Sequence, residues 1–287
     1  MSAATANTPT TVAQAIACAA RRLQHTGRSE AELLLSQVLD RNRAWLLAHA
    51  DDALGEGVLR RYDDLVTRRV HGEPIAYILG RCGFWSLELA ITPAVLIPRP
   101  ETELLVERAL GVLPVDRPMR VADLGTGSGA IALALASERP LVEVFAVDAS
   151  PAALAVAQTN ADALGLSARV HCVLGDWCAP LVDACFDAIV SNPPYIADDD
   201  AHLQRGDLRF EPRMALASGA DGLDAIRTIA AKTPAHLRDG GWLLLEHGWQ
   251  QGAAVRAILA AAGFRGIATQ RDLEHRERVT MGCLIDP

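Results

Sequence analysis

A short apolar segment that runs into a glycine-rich turn is the feature that most constrains the fold. Residues 121–130 are Val-Ala-Asp-Leu-Gly-Thr-Gly-Ser-Gly-Ala, and a helical pattern follows over 131–137. Glycine lets the backbone turn sharply, and the start of the helix presents free N–H groups to a ligand. Strand, glycine turn and helix in this order therefore predict a nucleotide-binding unit in an α/β protein.

A carboxylate at the end of the next predicted strand supports this prediction. The strand at 143–148 ends in Asp148, 23 residues after Gly125, close to the ~20-residue offset expected of an acid that binds ribose hydroxyls. The alternative is a capping role, since Ser150 and Pro151 are suited to the N-cap and the first position of a helix. The Gly-x-Gly-x-Gly spacing makes a dinucleotide pyrophosphate cradle the weaker interpretation.

The tetrapeptide Asn192-Pro193-Pro194-Tyr195 directly follows a predicted strand at 186–191. Proline fixes its own φ and favours an extended conformation in the residue before it. The Asn192 side-chain carbonyl and the Pro193 backbone carbonyl are two adjacent acceptors, which match the two hydrogens of an NH2 group. The alternative is that the prolines only end the strand and that Tyr195 only packs.

The chain is expected to have two domains joined by a linker. Residues 11–72 have a helical pattern, in which Ser29 to Glu32 predict a capping box before a helix at 33–39. Two strand-like runs at 84–91 and 95–97, with a turn at Thr92-Pro93, predict a β-hairpin. We therefore expect an N-terminal helical recognition domain at 1–80, a hairpin linker at 81–98 and an α/β domain at 99–287.

Alternating strands and helices in the larger domain predict a parallel sheet. The expected strands lie near 119–124, 142–148, 168–175, 186–191 and 241–246. Segments 266–271 and 278–285 have no helix between them, so they are expected to form an antiparallel pair. This ending is atypical of the dinucleotide fold.

Composition limits the classes of function. Half of the 287 residues are hydrophobic, no run reaches the ~20 apolar residues of a membrane helix, and the start lacks signal-peptide features, so a cytoplasmic protein is expected. The six cysteines and eight histidines show no zinc spacing, which predicts no metal. Residues 83–287 hold 17 basic and 26 acidic residues, which argues against a nucleic-acid substrate.

Five segments of the sequence form a recognisable set: GEPIAYILG at 72–80, IPRPETE at 97–103, DLGTGSGA at 123–130, SNPPYI at 191–196, and FEP at 210–212 with GADGL at 219–223. Together they resemble the HemK/PrmC family of glutamine methyltransferases, over about residue 12 to the end. NPPY alone also occurs in adenine-N6 DNA methyltransferases, which lack the helical N-terminal domain and the PRPETE segment.

The resemblance implies a seven-stranded Rossmann-like methyltransferase sheet with an antiparallel C-terminal pair, S-adenosylmethionine as cofactor, and class-1 peptide chain release factors as protein substrates. Enzymes of this family methylate the glutamine side chain of the Gly-Gly-Gln motif.

The resemblance also assigns roles to residues. The loop Gly125, Thr126, Gly127, Ser128 and Gly129 would wrap the methionine end of the cofactor. Asp148 would hold the ribose, Trp177 would flank the adenine, and Asp176 is the alternative partner of the adenine amine. Asn192 would contact both cofactor and substrate. Catalysis would rest on Asn192 and Pro193, and the whole NPPY segment from Asn192 to Tyr195, including Pro194, would bind substrate.

The nucleophile is weak, because an amide nitrogen delocalises its lone pair into the carbonyl group. Acceptance of both N–H groups by Asn192 and Pro193 would stabilise the positive charge that develops on nitrogen, so no dedicated general base is required. Leu96 and Ile97 are expected to form an apolar wall against the glutamine methylenes.

The roles of two acidic segments remain open. Glu101 and Glu103 have a capping role beside the helix at 104–110 as their simpler interpretation, with Thr102 as another capping candidate. The loop with three aspartates at 198–200 is either a lid or a solvated loop.

Two other functions stay as alternatives: an adenine-N6 nucleic-acid methyltransferase, and a non-catalytic partner-binding protein of the same fold. The expected assembly is a monomer, with no membrane and no direct nucleic-acid contact.

Overall fold

The computed structural model describes residues 10–23, 27–181 and 185–285. Contacts divide the chain into two compact units, one ending at Gly80 and the other beginning at Arg81. In the described ranges, no helix has both the length and the apolar character needed to cross a membrane.

The first unit is a helical bundle. Tyr62 is buried in its core and donates a hydrogen bond from its hydroxyl to the Ala31 carbonyl at 2.9 Å. The first helix buries one apolar face that includes Val12, Ile16 and Ala19, in agreement with the helical pattern predicted for residues 11–72. The helices are α1 (Val12–Leu23), α2 (Gly27–Leu39), α3 (Arg43–Ala48), α4 (Glu56–Val70) and α5 (Ile75–Leu79).

The predicted capping box in this unit is wrong. Helix α2 already begins at Gly27, so Ser29 lies within the first turn. The Glu32 carboxylate is buried and pairs with Arg28 and Arg43 at 3.0 and 2.7 Å. Two cations therefore hold the side chain that the capping box required.

The second unit contains a seven-stranded sheet in the order β5-β4-β3-β6-β7-β9-β8. Strands β3 to β7 pair in parallel, and β9 pairs antiparallel with both β7 and β8. The predicted sheet and its antiparallel ending are confirmed, although β7 begins at Leu237, before the predicted start. The strands are β3 (Met119–Leu124), β4 (Val142–Asp148), β5 (Val170–Leu174), β6 (Phe186–Ser191), β7 (Leu237–Glu246), β8 (Arg265–Arg271) and β9 (Glu277–Cys283).

Apolar side chains of this sheet are buried under helices. Ile189 of β6 and Leu243 of β7 are fully buried and belong to one core cluster with Ile226 and Leu259. Burial of this cluster fixes the sheet, since each large apolar side chain contributes about 1.5–3 kcal/mol. The helices are α6 (Glu103–Val112), α7 (Ala130–Glu138), α8 (Pro151–Ala163), α9 (Asp224–Lys232) and α10 (Gly252–Ala261).

The hairpin at the start of the second unit differs from the predicted one. It pairs β1 (Arg81–Phe84) with β2 (Leu87–Ala90), and Trp85 makes the turn with φ 56°. Residues 95–97 form no strand. Prolines remove backbone donors on both sides of this segment, and the N–H of Ile97 donates instead to Glu211 at 3.4 Å.

Candidate active site

The loop between β3 and α7 depends on glycine. Gly125, Gly127 and Gly129 have φ values of 74°, 57° and 83°, a region in which other residues lose roughly 1–2 kcal/mol. A Cβ at Gly129 would lie 3.0 Å from the Leu133 side chain, whereas Gly127 faces open space. The loop therefore exposes backbone at Gly127 and packs tightly at Gly129.

Asp148 holds this loop in place. One of its carboxylate oxygens, Oδ2, accepts from the Gly127 N–H at 2.9 Å, and Oδ1 accepts from the Ser150 N–H at 2.9 Å. Ser150 caps α8 by accepting from the Ala153 N–H at 3.2 Å, as the capping alternative predicts. Each carboxylate oxygen has two lone pairs, so Asp148 retains acceptors for a ligand hydroxyl.

Asp123 is a buried acid that the sequence reasoning did not select. Its Oδ2 accepts from the Thr126 hydroxyl at 2.6 Å and from the Ala132 N–H at 3.2 Å. Burial raises the pKa of Asp123 to about 7. The predicted loop residues Thr126 and Ser128 are buried too, so their side chains support the loop from within. The signal available in sequence was the position of Asp123 just before the first glycine.

A cavity opens at the carboxyl edge of the sheet, beside this loop. It has about 800 Å³ of empty space, a volume that includes open solvent. It brings together residues from distant segments: Leu96, Gly125, Gly127, Asp148, Asp176, Trp177, Asn192, Pro194, Pro212 and Met214. An exposed glycine backbone, a carboxylate and an indole suit a nucleoside with a charged tail.

Trp177 forms the aromatic part of this cavity. It is half-buried, has φ 50°, and its ring would lie 3.4 Å from a Cβ at Gly125. Asp176 also lines the cavity, but it is exposed and its nearest cation is Lys232 at 3.9 Å. Both adenine candidates are therefore at the cavity, and only Trp177 offers a flat apolar face.

Residues 192–195, here called the NPPY corner, lie directly after β6, at the same carboxyl edge of the sheet. The Asn192 side-chain nitrogen donates to the Thr102 hydroxyl oxygen at 3.1 Å, which leaves the amide oxygen as an acceptor. Pro193 is buried, and Pro194 lines the cavity together with Asn192. Thr102 occupies the N-cap position of α6, as one of the capping candidates, but its side chain makes no cap hydrogen bond there.

Tyr195 anchors this corner to the core. Its hydroxyl donates to the Glu246 carboxylate oxygen Oε1 at 3.3 Å, and its backbone carbonyl accepts from the Gln251 amide at 3.0 Å. Burial raises the pKa of Tyr195, and the negative charge of Glu246 raises it further. The neutral phenol is therefore the form present, and it donates to Glu246.

A buried ion pair links two walls of the cavity. Arg99 donates to the Glu211 carboxylate oxygen Oε2 at 2.6 Å. Leu96 lies near Arg99 in the chain and lines the cavity, whereas Ile97 is buried and donates its N–H to Glu211. Pro212 follows Glu211 and lines the cavity from the other segment.

The two glutamates of the PRPETE segment face a different groove, which is lined by Trp85, Glu101, Glu103, Arg271 and Leu273 among others. Glu103 is the first residue of α6 and accepts from the Trp85 N–H at 2.8 Å. The structure therefore gives Glu103 a hairpin contact and places neither glutamate among the residues that line the first cavity.

The acidic loop at 198–200 is not among the residues that line the first cavity. Asp200 accepts from the His202 N–H at 2.8 Å and begins a 3-10 helix at Ala201–Gln204. Arg213 donates to the Asp198 carbonyl at 2.8 Å. In the described part of the chain, no group of three or more His, Cys, Asp or Glu is placed to hold a metal ion.

The sheet order, the glycine loop and the acceptor corner at one edge define the class of S-adenosylmethionine-dependent methyltransferases. A solved 16S rRNA N2 G1207 methyltransferase from T. thermophilus, in complex with AdoMet and guanosine, shares the fold with a TM-score of 0.53 and 23% identity, over 71% of this chain and 49% of that chain. Two family models match: the PrmC N-terminal domain over residues 14–80 and the methyltransferase small domain over residues 101–207.

Curated relatives narrow the class to one family. A release factor glutamine methyltransferase from Xylella fastidiosa is 55% identical over 93% of this chain and 97% of its own length. Another from Escherichia coli is 50% identical over 89% of this chain and 91% of its own length. The chain belongs to the release factor glutamine methyltransferase family.

Proposed function

We propose that this chain transfers a methyl group from S-adenosylmethionine to the side-chain amide nitrogen of the glutamine in the Gly-Gly-Gln motif of class-1 peptide chain release factors. Membership of the family supports the substrate class. The observation that carries the chemistry is the Asn192 amide, whose nitrogen is held by Thr102 and whose oxygen remains available as an acceptor.

Different residues around the cavity bind different parts of the cofactor. The loop from Gly125 to Gly129 offers its backbone to the methionine end, while Thr126 and Ser128 shape the loop from inside. Asp148 accepts from the ribose hydroxyls, and Trp177 packs against the adenine. Bound S-adenosylmethionine supplies an electrophilic methyl group on a sulfonium centre.

The NPPY corner orients and activates the glutamine. The Asn192 amide oxygen and the Pro193 backbone carbonyl accept the two N–H groups of the substrate amide, so that its nitrogen points at the methyl group. As positive charge develops on nitrogen, these acceptors stabilise it, and such preorganised groups are typically worth about 10²–10³ in rate each. Pro194 lines the cavity beside Asn192, Tyr195 anchors this segment from behind through Glu246, and the proton leaves after transfer.

The domain roles belong to the same proposal. The helical unit at 1–80 recognises the release factor, residues 81–98 act as the linker, and residues 99–287 carry the reaction. The acidic balance of residues 83–287 favours a protein substrate over duplex DNA. A cytoplasmic monomer fits a substrate of the translation apparatus.

The test is transfer of a labelled methyl group from S-adenosylmethionine. Wild-type protein is expected to label a release factor and to label neither its Gln-to-Ala variant nor duplex DNA. Equal labelling of the Gln-to-Ala variant, or labelling of DNA, would overturn the substrate assignment. No label in any substrate would favour a non-catalytic binding protein.

A second arm tests the role of Asn192. Asn192→Ala is expected to lower kcat by about 10²–10³, with a much smaller effect on the Kd of S-adenosylmethionine measured by calorimetry. Asn160→Ala is unsuitable as a control, because the Asn160 side chain donates to the Ser128 carbonyl of the glycine loop. The matched control is Gln158→Ala, since within the residues that the structure describes the Gln158 side chain bonds only to the exposed Asp162 of α8. This control should change neither kcat nor the Kd of S-adenosylmethionine. Equal losses in kcat and cofactor affinity would place Asn192 chiefly in cofactor binding.

A further inference from the structure

A buried polar cluster lies behind the NPPY corner and does not line the cavity. It consists of Thr102, Tyr195, Glu246 and Arg278, which come from four separate segments. Glu246 is the last residue of β7 and is fully buried, and Thr102 and Arg278 are buried as well. Burial of such polar groups costs free energy of folding unless they form hydrogen bonds or ion pairs with one another.

Thr102 connects the cluster to the cavity. Its hydroxyl oxygen accepts from the Asn192 side-chain nitrogen at 3.1 Å, and the hydroxyl is a neighbour of Glu246 that lowers the pKa of that carboxyl. The Glu246 oxygen Oε1 accepts from Tyr195, whereas Oε2 is buried and has no hydrogen-bond partner among the described residues. The Thr102 hydrogen therefore has a buried acceptor beside it.

The orientation of the Asn192 amide depends on where that hydrogen points. A hydroxyl has one hydrogen and can accept through its lone pairs. When Thr102 gives its hydrogen to the Glu246 carboxylate, its oxygen is left only as an acceptor, and only the nitrogen end of the Asn192 amide can meet it. The oxygen end must then face the other way, which is the orientation that methyl transfer requires.

We propose that Glu246 is a positioning residue, which acts through Thr102 to fix the Asn192 amide with its oxygen toward the substrate. The inference rests on the proposed function, since it names what orients the acceptor of that reaction. Glu246 and Thr102 are absent from the residues that line the cavity, so both act through Asn192 and not on substrate.

Protonation of Glu246 removes this constraint. A protonated carboxyl can donate to Thr102, whose own hydrogen is then free to meet the oxygen end of the Asn192 amide. Burial raises the pKa of Glu246 to about 7; Thr102, Arg278 and Tyr195 lower it, and the charge of Glu101 raises it. Because the carboxylate form is the one that orients Asn192, activity is expected to fall as the pH falls through the pKa of Glu246.

Three substitutions separate this role from simple packing. Thr102→Val keeps the shape but removes the hydroxyl, and is expected to lower kcat by about tenfold, the value of one ordinary hydrogen bond. Thr102→Ser restores the hydroxyl and should recover kcat to within about threefold of wild type. Glu246→Gln should lower kcat and abolish the acid limb of the pH profile. Thr228→Val, whose hydroxyl bonds to the Asp224 carbonyl within α9, is the matched control.

Nuclear magnetic resonance gives a readout that needs neither cofactor nor release factor. In ¹⁵N-labelled protein, the side-chain amide signal of Asn192, assigned by its loss in Asn192→Ala, is expected to titrate with the ¹³C signal of the Glu246 carboxyl. Both signals should share one apparent pKa in wild type. In Thr102→Val the Asn192 signal should no longer follow Glu246.

The outcomes distinguish the two proposals. A wild-type protein that labels no release factor defeats the proposed function, and the magnetic resonance titration still decides the positioning role. Full activity of Thr102→Val with an unchanged pH profile, or an Asn192 signal that ignores Glu246 in wild type, overturns the positioning role. If Thr102→Val fails to fold, Thr102→Ser and Glu246→Gln decide by the same criteria.

Discussion

Replacement of Arg99 by methionine is expected to leave a carboxylate buried without its cation. Arg99 donates to Glu211 at 2.6 Å, and the Glu211 side chain is 0% exposed, whereas that of Arg99 is 30% exposed. Removing one partner of a buried ion pair typically costs 3–5 kcal/mol. Because Arg99 is partly open to water, we expect a loss near the lower end, about 3 kcal/mol at neutral pH.

The sign of the pH dependence follows from the protonation of Glu211. Burial raises the pKa of Glu211 in the folded protein, and Arg99 opposes this. Without Arg99 the folded pKa rises further above the unfolded value, so at intermediate pH the folded state binds more protons than the unfolded state. The free energy of unfolding then falls as pH rises. The loss in Arg99→Met is therefore expected to be small near pH 4 and to grow toward neutral pH.

Urea unfolding followed by tryptophan fluorescence, at several pH values, measures this effect. Arg227→Met is the matched control, since Arg227 and Asp221 form an ion pair with side chains 47% and 50% exposed, and such pairs are worth about 0–1 kcal/mol. The double variant Arg99→Met/Glu211→Gln should recover most of the loss. A loss equal to that of the control, or one independent of pH, would refute the reasoning.

The same structure supports two further predictions. Gly222→Ala and Gly240→Ala both place alanine at positive φ, 73° and 76°. Only at Gly222 would the new Cβ overlap the Tyr195 carbonyl. We therefore expect Gly222→Ala to lower the Tm clearly more than Gly240→Ala does, and equal shifts would contradict this. Asp148→Asn is expected to weaken S-adenosylmethionine binding about tenfold, because one amide oxygen cannot replace both carboxylate oxygens that accept from the N–H groups of Gly127 and Ser150. Titration calorimetry measures this, and a change below about twofold would contradict it.

Elements with strong local patterns could be predicted from the sequence. Strands β3 and β6 are short, mostly apolar runs with clear ends, and the glycines after β3 favour a sharp turn. The hairpin was misplaced because apolar residues continue through the turn at Trp85, so alternation alone did not reveal where the chain reverses. Ile97 was predicted to lie in a strand because it belongs to an apolar run; it is buried, but its N–H donates to Glu211 and not to a neighbouring strand.

Some parts of the candidate site follow from local sequence. The glycine loop, Asp148 after the next strand and the NPPY segment could be predicted, because each is a short run whose residue types restrict the local backbone. Three contacts could not be predicted: Thr102 accepts from the Asn192 nitrogen, Arg99 pairs with Glu211, and Glu246 accepts from Tyr195. These partners are separated by 90, 112 and 51 positions in the chain. Their contacts depend on where β6, β7 and α6 pack, and no local pattern encodes that placement.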